Sequence, residues 1–277
     1  MAWQNGLVPL SHAALLRAIE LNGVSIAKNR RAFEIGRAVA ADEAGLRRAT
    51  GLVETPPAPM TLDALIDRRA AFLTDYQNAA YAARYRKFVT GVAQKTRKAD
   101  PEGRLARAVA ENFFKLMAYK DEYEVARLYA SGDFRRKLEA EFEGDFRLKF
   151  HLAPPLLAGE LDPLGRPKKR AFGPFMMTAF SVLHRFKVLR GGPFDLFGRT
   201  EERRLERQLI EDYARDIEAA AEGLGAASLE AAVELARLPE DIRGFGPVKL
   251  ASIEKTRARR AGLLGRLAAA QRAPQAA

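Results

Sequence analysis

Lys115, Lys120, Asp121, Glu122, Glu124 and Arg127 lie close together, interleaved with Phe, Met, Tyr and Val. Carboxylates this near to lysines could trade protons as general acid and base if a cleft perturbs them. A helix with charged sides, packed against its neighbours, has the same composition, and structural ion networks mimic active sites. Helical phase carried through 103–131 puts Phe113, Met117, Asp121, Val125 and Tyr129 in one i,i+4 row. Asp121 then stands in a mostly apolar row, where an unpaired carboxylate costs on the order of several kcal/mol. It must face a cation, cap another element or line a polar crevice. Lys120 and Glu124 are also i,i+4, in the less favourable orientation. Lys115, Tyr119, Asp121, Glu122, Tyr123 and Glu124 are therefore structural or interface candidates, with Asp121 held by a Lys or Arg. His151 joins them from a separate segment.

No residue is assigned a catalytic, cofactor-binding or metal-binding role. The 277 residues hold no cysteine, which excludes disulfides, thiolate zinc sites, cysteine-ligated clusters and cysteine nucleophiles. His12, His151 and His184 are far apart and form no metal-ligand spacing. No GxxxxGK[ST], GxGxxG or GxSxG occurs. Glu143-Gly144-Asp145 resembles the start of a Gly-Asp-Gly diphosphate motif, but Phe146 follows and no Asn-Asn pair lies downstream, so no thiamine diphosphate site is expected. The formal charge of +11 and pI near 10.0 would attract polyanions. The basic residues mostly alternate with acids, however, as on a solvated face.

These side chains need helices to hold them. Ser11 reads as the N-cap of a helix over 12–21, stopped by Asn22-Gly23, and a second helix covers about 24–41. Residues 49–60 are a Pro-rich linker. Thr61 caps a helical pattern running to about 98, with Tyr76, Tyr81 and Tyr85 near one side as core or interface residues whose hydroxyls stay wet. FRLKFHL (146–152) alternates strictly and reads as a half-buried strand, with His151 on its outer face. RPKKRAF (166–172) is its partner in a small antiparallel hairpin. Gly173-Pro174 opens a further helix, with Met176 and Met177 as core filler. Thr200 caps a long charged helix, Ser228 a short one, and a last helix covers about 247–270. The tail 271–277 is expected to be disordered. No apolar run reaches membrane-spanning length and the N-terminus lacks a basic n-region, so neither a membrane span nor a signal peptide is expected.

The stretch AWQNGLVPLSHAALLRAIELNGVSIAKNRRAFEIGR (2–37) resembles the end of the gamma-type domain of 2-oxoacid:acceptor oxidoreductases, in the long single-chain indolepyruvate ferredoxin oxidoreductases. LTDYQNAAYAARYRKFV (73–89), FFKLMAYKDEYEVARLY (113–129), FEGDFRLKFHLAPPLL (142–157), FGPFM (172–176), FGRTEERRLERQLI (197–210) and LPEDIRGFGPVK (238–249) resemble those enzymes' uncharacterised C-terminal domain, in the same order. The resemblance implies a C-terminal segment or split subunit of an enzyme that oxidatively decarboxylates aryl 2-oxoacids to acyl-CoA. Thiamine diphosphate and iron–sulfur clusters would sit in the remaining part of the oxidoreductase, the expected partner, and ferredoxin would be met only indirectly. This chain alone would hold no cofactor and be inactive, and Met1 would stand where the full-length enzyme continues upstream, as the start of a separately encoded subunit or of a fragment. The expected location is cytoplasmic. A basic helical nucleic-acid binder, resting on charge alone, and a helical adaptor are the alternatives. The expected fold is mainly α: a helical domain over 61–270 with a hairpin near 146–172, preceded over 1–48 by the helical remnant of an α/β domain.

Overall fold

The computed structural model describes residues 2–51, 60–144, 147–152, 170–244 and 246–272, apart from the side chains of Asp133 and Pro247. The chain is mainly α-helical with one small antiparallel hairpin. It divides into two compact units, Met1–Pro59 and Met60–Ala277.

The first unit contains α1 (His12–Asn22) and α2 (Ile26–Thr50). Ser11 caps α1 by accepting from the Ala14 N–H, and Gly23 closes it at φ 70°. Helix α2 was expected to end near 41; it is interrupted at Asp42, whose φ/ψ of −153°/85° are not helical. The Asp42 carboxylate accepts from the Gly45 N–H at 2.7 Å and so restarts the helix, which continues to Thr50. Neither helix buries a residue.

The second unit packs α3 (Leu62–Tyr76), α4 (Ala79–Thr96), α5 (Arg104–Met117), α9 (Glu201–Glu222), α10 (Ala226–Arg237) and α11 (Pro247–Arg272) around one core. Helix α5 supplies its spine. Leu105, Val109, Phe113 and Met117 recur at i,i+4 and are fully buried. Phe113 lies against Phe88, Tyr85 and Tyr213, with centroids 4.4, 6.2 and 5.9 Å away. A satellite core joins α6 (Glu122–Ala130), α8 (Met176–Arg185) and the hairpin around Ala126, Phe150 and Phe180. Met176 and Met177 pack against it, partly buried. Between these helices lie α7 (Gly132–Glu141) and a 3₁₀ turn over Phe186–Leu189.

Four further expectations need correction. The helix drawn over 103–131 is two helices, because the chain leaves helical geometry at Ala118 (φ −95°, ψ 44°) and Asp121 caps α6. The helix drawn over 61–98 also breaks, at Gln77-Asn78, where Asn78 caps α4 by accepting from the Tyr81 N–H at 2.8 Å. Gly225, not Ser228, is the N-cap of α10; the Ser228 hydroxyl accepts from the Gly225 N–H at 2.9 Å from inside the first turn. The strand is shorter than 146–152. β1 is Phe150–Leu152 and β2 is Arg170–Phe172, in the register Phe150↔Phe172, His151↔Ala171, Leu152↔Arg170. Most of the linker (52–59), residues 166–169 of the expected partner strand and the tail 273–277 lie outside the described residues, whereas Gln271 and Arg272 are helical.

Candidate functional site: a buried ionic junction

Three chain segments meet where α3 ends, α6 begins and the loop after the 3₁₀ turn passes. The sequence leaves α5 at Ala118 because Asp121, with Glu124 three residues on, starts a new helix as a capping pair does. The Asp121 carboxylate accepts from the Glu124 N–H at 2.8 Å. It also takes two hydrogen bonds from Arg190, Nε to Oδ2 at 2.6 Å and Nη2 to Oδ1 at 2.9 Å. Both side chains are almost wholly enclosed, 2% exposed for Arg190 and 3% for Asp121. The third arm, Nη1, donates to the Tyr76 carbonyl at 2.6 Å, and the guanidinium lies 3.6 Å from the centre of the Tyr76 ring. Burial opposes the charge on Arg190, but the hydrogen bonds to Asp121 win and hold its pKa above the usual arginine value.

Asp195 ties the loop to the same place. Its carboxylate accepts from Gly191 N–H (2.7 Å), Gly198 N–H (2.9 Å) and the Tyr123 hydroxyl (3.2 Å). Beside it runs a second network. Arg203 bridges Glu206 at 2.6 Å and Glu122 at 3.4 Å, and Glu206 also pairs with Lys249. One Glu122 oxygen is buried without a partner. Burial pushes the Glu122 carboxyl up against the pull of Arg203.

The junction gathers most of the candidates. Asp121 and Glu124 are buried in ion pairs, Glu124 with Arg127 at 2.7 Å. Lys120 is exposed and makes no pair with Glu124 among the described residues. The Lys115 ammonium donates to the Pro239 carbonyl at 2.6 Å, and burial lowers its pKa. Tyr119 lends its carbonyl to the Tyr76 hydroxyl at 2.8 Å, and burial pushes its own phenol up to about 12. Tyr123 is buried beneath Phe197, edge to face at 5.3 Å. His151 stands apart, exposed on β1.

The tyrosine hydroxyls, expected to face water, donate to carbonyls of the fold instead. Those of Tyr81, Tyr85 and Tyr213 donate to the carbonyls of Met117, Ala110 and Ala236 at 2.8–3.0 Å. A free carbonyl at a helix end is a ready acceptor, which is why Tyr81 reaches Met117 at the end of α5. Arg190 and Asp195 were missed by the sequence reading. The polarity of Asp121 demanded a cation, but nothing local shows that it lies 69 residues away. Among the described residues no group of three or more His, Cys, Asp or Glu could hold a metal ion, and no helix is long and apolar enough to cross a membrane.

A family model, described as a family of unknown function (DUF6537), matches residues 62–262. The chain belongs to this family. The DUF6537 span contains every segment of the junction, from Tyr76 to Lys249, and none of α1 or α2. No curated protein and no solved structure matches the chain.

Proposed function

We propose that this chain is the C-terminal segment, or a separately encoded subunit, of a 2-oxoacid ferredoxin oxidoreductase of the indolepyruvate type, and that it carries no part of the chemistry itself. The observation that carries this reading is the ordered run of resembling stretches from 2–37 through 238–249. Two structural features support a non-catalytic role. Asp121 and Glu124 are spent on ion pairs and a helix cap. The helices of the first unit bury nothing within it, and Leu21, Val24 and Ile35 are each more than half exposed. Exposed apolar side chains of that kind fit packing against further protein.

The donor set of this chain does not fit an iron–sulfur cluster, since it has no cysteine. In this reading the clusters and thiamine diphosphate belong to the partner, which oxidises the aryl 2-oxoacid, and this chain serves as scaffold. The test is a native purification of the tagged chain from its own cells, with partner identification and thiamine and iron assays. A cysteine-containing partner carrying both cofactors is the expected result. A chain that purifies alone, or only with nucleic acid at low salt, overturns the reading.

A further inference from the structure

The loop that Asp195 folds has an outer face, and that face is a basic crevice of about 540 Å³. Arg199, Arg204 and Arg207 line it together with Asp195, Gly191 and Gly198. Each of the three guanidiniums makes one hydrogen bond, and each goes to a backbone carbonyl: Arg199 to Pro193 at 3.1 Å, Arg204 to Arg199 at 3.1 Å, Arg207 to Gly198 at 2.7 Å. A guanidinium has five donors, so most of this capacity is unspent. None of the three has a carboxylate partner among the described residues. Arg127, Arg190 and Arg203, which flank the same junction, each face one. Arg207 is only partly exposed, and its Nη1 is enclosed without an acceptor. A ligand need not touch that atom, because a negative charge in the crevice compensates the guanidinium as a whole.

Asp195 is a carboxylate of the lining and offsets one of the three positive charges, which leaves the crevice basic. Asp195 turns inward, its oxygens taken by Gly191, Gly198 and Tyr123. Its fold depends on the glycines. Gly191 has φ +75°, and a Cβ at Gly198 would collide with the Asp195 carboxylate. Nor is the end of α9 the seat, since Glu201 and Glu202 already occupy its first turn. Arg204 and Arg207 are i,i+3 on that helix and so share a side, with Arg199 arriving from the loop.

We propose that this crevice binds a phosphate-bearing small molecule, of diphosphate size, through Arg199, Arg204 and Arg207. Guanidinium forks match phosphate oxygens in pairs, and the volume lies in the range of small-ligand sites. The proposal is independent of the oxidoreductase reading.

Calorimetry on the full chain tests it, at fixed ionic strength, with inorganic pyrophosphate and ADP as probes. The unaltered chain is expected to bind pyrophosphate, and Arg199→Gln with Arg204→Gln to weaken binding at least tenfold. Both side chains are exposed, so the double variant should fold. Arg97→Gln with Lys98→Gln removes the same charge from the exposed end of α4 and is expected to change nothing. Tighter binding of ADP would assign the diphosphate to a nucleotide, and equal binding to the free anion; either supports the site. No binding at millimolar pyrophosphate, an equal loss in the control variant, or binding of long nucleic acid that pyrophosphate does not displace would overturn it.

Discussion

Asp121 does two things at once: it caps α6 and it neutralises Arg190. The two roles separate by substitution. Asparagine caps nearly as well as aspartate, so Asp121→Asn keeps the cap and removes the charge, whereas Asp121→Ala removes both. Breaking a buried pair leaves the other ion uncompensated and costs about 3–5 kcal/mol. Urea unfolding should show most of that loss already in Asp121→Asn, with about 1 kcal/mol more in Asp121→Ala. An Asn variant as stable as the unaltered chain would mean that the ion pair does not hold the junction. Part of this site was legible before any coordinates. The expected apolar row is broken at Ala118, but Asp121 is buried all the same, and its expected cation is there. Arg190 was not legible as that cation, because in sequence it looks like any basic residue after an apolar helix. Its burial follows from the tyrosines that enclose it.

Helix ends decided how well the elements could be read. Ser11, Thr61 and Thr200 stand before clear apolar periodicity, and each caps the helix expected of it. Asn78 and Asp121 do the same work inside patterns that stay apolar on both sides, so periodicity ran straight through them. The missed clue was chemical: Asp121 with Glu124 three residues later is a start signature, and Asn78 is a preferred cap. Ser228 shows the opposite error, a cap-type residue serving from within the first turn. At this scale Asn78→Ala should lower stability by about 1 kcal/mol, read from a denaturant melt, while Asn78→Asp stays near neutral. The hairpin was visible from strict alternation, but pairing is limited to Phe150–Leu152 with Arg170–Phe172. Leu148 and Lys149 alternate without joining the ladder.

Across the whole second unit, burial ties the phenols to folding. Tyr76, Tyr81, Tyr85, Tyr123 and Tyr213 have pKa values raised above the usual tyrosine range, chiefly by burial, and all five donate their hydroxyl protons to acceptors inside the fold. In the unfolded chain they ionise near pH 10. Below that pH both states keep the protons and the stabilisation is complete. Above it the unfolded state loses protons that the folded state retains, so stability falls as pH rises. Tyrosinate absorbance should therefore appear together with loss of the helical circular dichroism signal, both above pH 10. A smooth titration near pH 10 with the helices intact would contradict the burial of these rings.

The Arg190 junction also sets an order of events during synthesis. Tyr76 and Asp121 leave the ribosome well before Arg190, which follows Asp121 by 69 residues and Tyr76 by 114. At about 5–20 residues per second, the nascent chain carries Asp121 for about 3–14 s before its counter-charge has been translated. During that interval α3, α4 and α5 can assemble, but the start of α6 holds a carboxylate that cannot be buried. The emerging polypeptide stays open at that point, available to chaperones and proteases, until Arg190 has been translated and has emerged.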